Sequence, residues 1–110
     1  MSAWGIEPWA NDAAANWFGE TFDVTGLANR VEKALNLDIH DHHEEIRAAA
    51  YIVRLLARTY IWAVHDIDRH RALAANRLQA VLDAGIFDDE EAFKVAVTSE
   101  IAELRGPSLR

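Results

Sequence analysis

Histidine and acidic side chains stand close together in two stretches of this 110-residue chain. One runs from His40 to Glu44, and the other contains His65, Asp66 and His70. Imidazole and carboxylate groups bind divalent metals, which activate water for hydrolysis. Asp66 and His70 are four residues apart, so a helix would place them on one face, but neither stretch has the order of a zinc-protease motif. We expect solvated histidines and no metal; His65, Asp66 and His70 would be the candidates for a metal site.

A row of arginines offers a second kind of chemistry. Arg47, Arg54 and Arg58 stand at i, i+7 and i+11 with Tyr51 between them, so one long helix would present all four on one side. Guanidinium groups bind carboxylate and phosphate as bidentate forks. Arg54 and Arg58 have no acid three or four residues away, which predicts ion pairs with acids of other helices, such as Glu32, Glu100 or Glu103. The alternative is an exposed row that binds an anionic ligand or an acidic partner, and for Arg58 both remain open.

The start of the chain is rich in aromatic and turn-forming residues: Trp4, Gly5, Pro8, Asn11, Asp12, Ala14 and Trp17. Glycine permits a tight turn, proline fixes φ, and Asn or Asp caps a helix. We therefore predict an N-terminal aromatic clasp, in which this segment packs back on the first helix and buries Trp4 and Trp17. The alternative is an aromatic patch that binds a partner, because tryptophan is frequent at interface hot spots.

The order W-G-x-x-P-x-x-N-D-x-A-x-x-W resembles the start of a bacterial family catalogued as domain of unknown function 4259. The resemblance covers residues 1–22 and departs from the family at Trp9, where Phe is usual, and at Asn16, where an acid is usual. The family has no established activity to carry over. Some members look like antitoxin or immunity partners in bacterial conflict loci, a tendency of small acidic all-α proteins that transfers no site residue.

Apolar residues recur at helical spacing and predict about five helices. Asn11 or Asp12 caps the first helix, and Leu27, Val31 and Leu35 mark a short second one. No stretch alternates apolar and polar residues over the length of a strand, so we predict an all-α fold.

A long third helix is predicted from Glu44 to about Val64, after a polar loop at residues 38–43. It is apolar over much of its circumference, and such a helix lies at the centre of a bundle. Asp66 or Asp68 caps the fourth helix.

Gly85 is placed to end the fourth helix in a left-handed conformation. Asp88 and Glu91 form an acidic variant of the capping box at the start of the fifth helix, which the Gly-Pro pair at 106–107 ends. The prediction is one all-α domain over residues 1–110, a compact bundle with the third helix at its centre.

Composition narrows the class of protein. With 51% apolar and 26% charged residues, the chain is globular, and without cysteine it has neither disulfides nor thiolate metal sites. A net charge of −7 argues against binding to nucleic acid. No apolar stretch approaches the roughly 20 residues of a membrane span, and no secretion signal is visible, so we expect a cytoplasmic protein.

These features favour binding over catalysis. We predict a small acidic protein-binding module, in its most specific form an antitoxin or immunity-type inhibitor of a bacterial toxin, because acidic surfaces steer toward basic partners such as nucleases. The alternatives are a small metal-dependent hydrolase that uses one His-Asp cluster and a homo-oligomeric structural module. We expect no cofactor and leave the oligomeric state open.

Overall fold

The computed structural model describes residues 5, 6, 8 and 10–107. Within them the chain forms five α-helices and no strand, which confirms the predicted all-α fold. The helices are α1 (Asp12–Thr25), α2 (Leu27–Leu35), α3 (Ile39–Leu56), α4 (Val64–Asp83) and α5 (Glu91–Arg105).

The first helix begins where the sequence predicts. Asn11 is extended, with φ −157° and ψ 158°, and its side chain accepts a hydrogen bond of 2.9 Å from the N–H of Ala14. This bond satisfies one of the free donors of the first turn. α1 ends at Gly26, whose φ of 61° is left-handed, and α2 starts at the next residue. A single glycine therefore joins the two helices.

The core lies among the last four helices. α3 packs between α2 and α4, as predicted for the third helix, and α4 also packs on α5. Leu35, Ile46, Val53, Ile67 and Leu78 are fully buried there, and each such side chain stabilises the fold by roughly 1.5–3 kcal/mol. α1 contributes no buried residue. The molecule is elongated as a result, with extents of 56 × 24 × 19 Å.

The predicted loop at residues 38–43 is wrong, because α3 begins at Ile39. Asp38 caps it, and its carboxylate accepts a hydrogen bond of 2.9 Å from the N–H of Asp41. His42 then departs from helical geometry, with φ −133° and ψ 26°. The polar stretch that reads as a loop is thus the first turn of a kinked helix.

The predicted far end of the third helix is also wrong. α3 stops at Leu56, and the chain turns through residues 57–63, where Tyr60 has a left-handed φ of 76°. Ala57 and Trp62 are buried within the turn. Ala57, Tyr60 and Ile61 continue the helical spacing of apolar residues, so periodicity alone does not reveal the break.

Capping differs from prediction at the start of α4. Its N-cap position is Ala63, and Asp66 lies in the first turn, where an acid favours the helix dipole. The end is as predicted, since Gly85 has a left-handed φ of 77°.

The predicted capping box of the last helix is wrong. The N-cap position of α5 is Glu90, which makes no side-chain capping bond. Asp88 instead folds toward Gly85, where an added Cβ would come within 2.8 Å of its Oδ2. The helix ends at Gly106, as predicted.

Two arginines of α4 bind the ends of neighbouring helices. Arg77 donates to the carbonyls of Leu35 and Leu37, each at 2.6 Å, and Arg71 donates to the carbonyl of Glu103 at 2.8 Å. Carbonyls at a helix end lack partners within their helix. The two arginines supply hydrogen-bond donors to these carbonyls and so attach α2 and α5 to α4.

Candidate functional site

α1 presents an aromatic surface to solvent. Trp17 is 61% exposed, and its ring meets that of Phe18 edge-on at 5.5 Å. Phe18 stacks on Phe22 with ring centroids 6.5 Å apart. The charged residues of α1 are Asp12, Glu20 and Asp23, and the helix has no Lys or Arg. The surface is therefore both aromatic and acidic.

The predicted burial of Trp17 is wrong. Phe18 and Phe22 are half-buried, and Trp17 lies one residue away from Phe18, which turns it about 100° around the helix. Gly5 and Pro8 are exposed, and the predicted burial of Trp4 lies outside the described residues.

A second site is the cleft between α3 and α5. It has a volume of about 630 Å³, and three residues of the arginine row line it, Arg47, Tyr51 and Arg54. Phe87 and Phe93 line the α5 side and stack with ring centroids 5.3 Å apart.

An ion pair bridges the two sides of the cleft. Arg47 donates from Nε to Oε1 of Glu100 at 3.0 Å and from Nη2 to Oε2 at 2.6 Å. The two side chains are only 31% and 13% exposed. The bonded carboxylate raises the pKa of Arg47. This fork joins α3 to α5.

The predicted pairing of Arg54 with another helix is confirmed. Its Nε donates to Oε2 of Glu103 on α5 at 3.1 Å, although Glu103 is 58% exposed. Arg58 does not share this side, because α3 ends before it. Arg58 is exposed, and its side chain makes no ion pair within the described residues.

The third site is a polar cluster around His70. This histidine is fully buried, so the expectation of solvated histidines is wrong for it. The indole N–H of Trp62 donates to its Nδ1 at 2.8 Å. Because an indole can only donate, Nδ1 carries no hydrogen and the ring hydrogen is on Nε2. That nitrogen lies 3.4 Å from Oε1 of Glu32.

Arg69 links the acids of this cluster. Its guanidinium pairs with Glu32 of α2 and donates to Oδ1 of Asp66 at 2.9 Å. The hydrogen bonds from Arg69 are the main reason why the pKa values of both carboxyl groups are lowered. The cluster thus ties α2 to α4.

The tautomer of His70 does not suit a metal ligand. A metal needs the lone pair of one ring nitrogen, while the other nitrogen usually donates its hydrogen to an acceptor. Here one nitrogen accepts a hydrogen bond and the other holds the hydrogen. His65 is exposed, 3.6 Å from Oδ2 of Asp66. No group of three or more His, Cys, Asp or Glu that could hold a metal occurs among the described residues.

The sequence held a signal for the buried His70. It lies three residues after Ile67 and four before Ala74, both fully buried, and so falls on the inward face of α4. Trp62 as its partner had no such signal, because it approaches only through the turn at 57–63.

No helix in the described part of the chain has the length and apolar character to cross a membrane. Comparisons with protein-family models, with curated proteins and with solved structures found no match to this chain.

Proposed function

We propose that this chain is a small acidic protein-binding module that docks a basic protein on α1, in the manner of an antitoxin or immunity-type inhibitor. The observation that carries the proposal is the exposed aromatic surface of α1. A partner that covers α1 would remove apolar surface from water that the fold leaves exposed, since Trp17 is 61% exposed and no residue of α1 is buried.

The aromatic residues supply the binding energy. Tryptophan is enriched among interface residues whose truncation costs 2 kcal/mol or more, because a large ring removes much apolar surface from water at little cost in conformational freedom. Trp17 is flanked by Phe18, and the two rings already form an edge-on pair. They form a ready-made anchor.

The charges select the kind of partner. Every charged residue of α1 is acidic, and the chain as a whole carries −7. Such a surface attracts a basic protein and accelerates its association. Pairing of α1 with α1 of a second copy would bring acids against acids, so the charges do not favour self-association through this helix. The lack of cysteine suits action in the reducing cytoplasm.

The first test uses a labelled amphipathic peptide of Lys and Leu, followed by fluorescence anisotropy. We expect Trp17→Ala to weaken binding about thirtyfold or more, the range of an interface hot spot. Val95→Ala, a change at an equally exposed (61%) apolar residue of α5, is the matched control and leaves binding unchanged. Because Trp17 is exposed, its replacement changes the free energy of unfolding by only about 0.5 kcal/mol.

Charge is tested with a pair of double variants. Glu20→Gln with Asp23→Asn removes two acids of α1, whereas Asp89→Asn with Glu91→Gln makes the same change in net charge elsewhere. Only the α1 pair weakens peptide binding if α1 is the docking surface. Equal losses from both pairs would mean nonspecific attraction to an acidic protein and would contradict the proposal.

A further inference from the structure

The cleft between α3 and α5 has the size of a small-molecule site. Its volume of about 630 Å³ lies within the usual range of roughly 300–1,000 Å³. Phe87 forms part of its wall and is buried, while Phe93 and Tyr51 are each about half exposed. A ligand with a flat apolar body would cover both exposed rings.

The row of arginines suggests a positively charged cleft, but the uncompensated charges in the cleft are negative. Arg47 is neutralised by Glu100 and Arg54 by Glu103. Two further carboxylates line the cleft, those of Glu44 and Glu90, and neither has an ion-pair partner among the described residues. The surplus charge in the cleft is therefore negative.

One polar atom of the cleft wall lacks a partner. Nδ1 of His43 is buried and makes no hydrogen bond within the described part of the chain, and its ring meets Phe87 edge-on at 5.7 Å. A buried polar group without a partner costs free energy.

The ring faces of this cleft already hold cationic groups. The guanidinium carbon of Arg47 lies 5.6 Å from the ring centre of Phe93, and that of Arg54 lies 5.4 Å from the ring centre of Tyr51. Aromatic faces attract cations through the negative charge of the ring face.

We infer that the cleft between α3 and α5 binds a small aromatic amine. The ring of the ligand lies against Phe93 and Tyr51, and its ammonium group lies between the carboxylates of Glu44 and Glu90. The inference does not depend on the proposed docking of a protein on α1, because the residues that carry it all belong to the cleft.

The test compares two probes that share one ring system, tryptamine as the cation and indole-3-acetate as the anion, by isothermal titration calorimetry. We expect tryptamine to bind about tenfold more tightly. The double change Glu44→Gln with Glu90→Gln removes this preference, because it removes both uncompensated carboxylates. Asp89→Asn with Glu91→Gln alters the net charge equally outside the cleft lining and keeps the preference.

A further variant tests the apolar wall. Phe93→Leu preserves an apolar side chain but removes the ring, so it weakens the binding of both probes, whereas Val95→Ala on the same helix weakens neither. Equal or tighter binding of indole-3-acetate, no binding of either probe, or unchanged tryptamine affinity in the Glu44→Gln, Glu90→Gln protein would each overturn the inference.

The Lys and Leu peptide separates a free amine from a lysine side chain of a protein. If the ligand is a small amine, the protein with Glu44→Gln and Glu90→Gln binds the peptide as well as the protein with Asp89→Asn and Glu91→Gln does. A loss of peptide binding confined to Glu44→Gln with Glu90→Gln would assign the cleft to a protein partner instead and overturn the small-amine assignment.

Discussion

At the scale of single residues, the hydrogen bond from Trp62 to His70 defines the chemistry of the polar cluster. It is buried, and it leaves the ring of His70 with one accepting and one hydrogen-bearing nitrogen. The histidine therefore acts as a connector in the core, where it holds the turn at 57–63 to α4 through Trp62, rather than as a metal ligand.

Trp62→Phe tests this connector. The change leaves Nδ1 of His70 buried without a donor, and we expect the free energy of unfolding to fall by about 1–3 kcal/mol in urea titrations. Tyr51→Phe, which removes a polar atom from an exposed ring, is the control and costs under about 0.5 kcal/mol.

Trp62→Phe also removes ring volume from the core, which lowers stability by itself. The tautomer of His70 is therefore measured in the parent protein. Nitrogen NMR of the parent protein should show hydrogen on Nε2 of His70 and none on Nδ1. Hydrogen on Nδ1 in the parent would contradict the assigned bond, whatever the stability of the variant.

At the scale of helices, the fork between Arg47 and Glu100 holds α3 to α5 across the cleft. Arg47→Met strands a mostly buried carboxylate, and we expect a loss of about 2–4 kcal/mol. Arg54→Met breaks the pair with the exposed Glu103 and costs under about 1 kcal/mol. Thermal or urea unfolding of the two variants measures the difference.

A second change in the same protein separates charge from packing. Adding Glu100→Gln to Arg47→Met removes the stranded charge and recovers part of the loss. If Arg47→Met and Arg54→Met proved equally mild, the fork would contribute no more than a surface pair.

Prediction from sequence succeeded where local chemistry decides the outcome. Asn11 caps α1 through its own side chain, Gly85 is left-handed, and Arg54 pairs with another helix because no acid lies near it in sequence. Prediction failed in the segment after α3, where the apolar residues Ala57 and Trp62 are buried in a turn and not in a continued helix. Helical spacing cannot distinguish a buried turn from a further helical segment.

The same limit applies to the candidate sites. Tryptophan is expected to be buried, but exposure depends on which side of α1 faces the bundle, and Phe18 and Phe22 take that side instead of Trp17. The row of arginines was recognisable, whereas its neutralisation by Glu100 and Glu103 depends on where α5 packs.

At the scale of the whole molecule, Arg69 couples folding to pH. It lowers the pKa of Glu32 and of Asp66 from their ordinary values of 4.5 and 3.8. A carboxyl with a depressed pKa binds fewer protons in the folded than in the unfolded state. Its stabilisation is therefore complete above about pH 5 and is lost as pH falls through the folded pKa values.

Arg69→Gln should remove part of this dependence. We expect urea midpoints measured from pH 7 down to pH 3 to fall less steeply in this variant than in the parent protein. Arg30→Gln, the same change at an exposed position of α2, keeps the parental slope. Identical slopes for Arg69→Gln and the parent would show that the cluster does not account for acid sensitivity.

Gly26, which joins α1 to α2, is the position at which a change in backbone torsions would change the angle between these two helices. An added Cβ at Gly26 would meet no atom within 4 Å, and Trp17 stands nine residues before it, about 13 Å along the helix axis. A rotation of about 20° at this pivot would sweep the indole through about 5 Å. A small change in the backbone torsions of Gly26 would thus move Trp17 relative to the other four helices. The indole could then adjust its position on the surface of a partner.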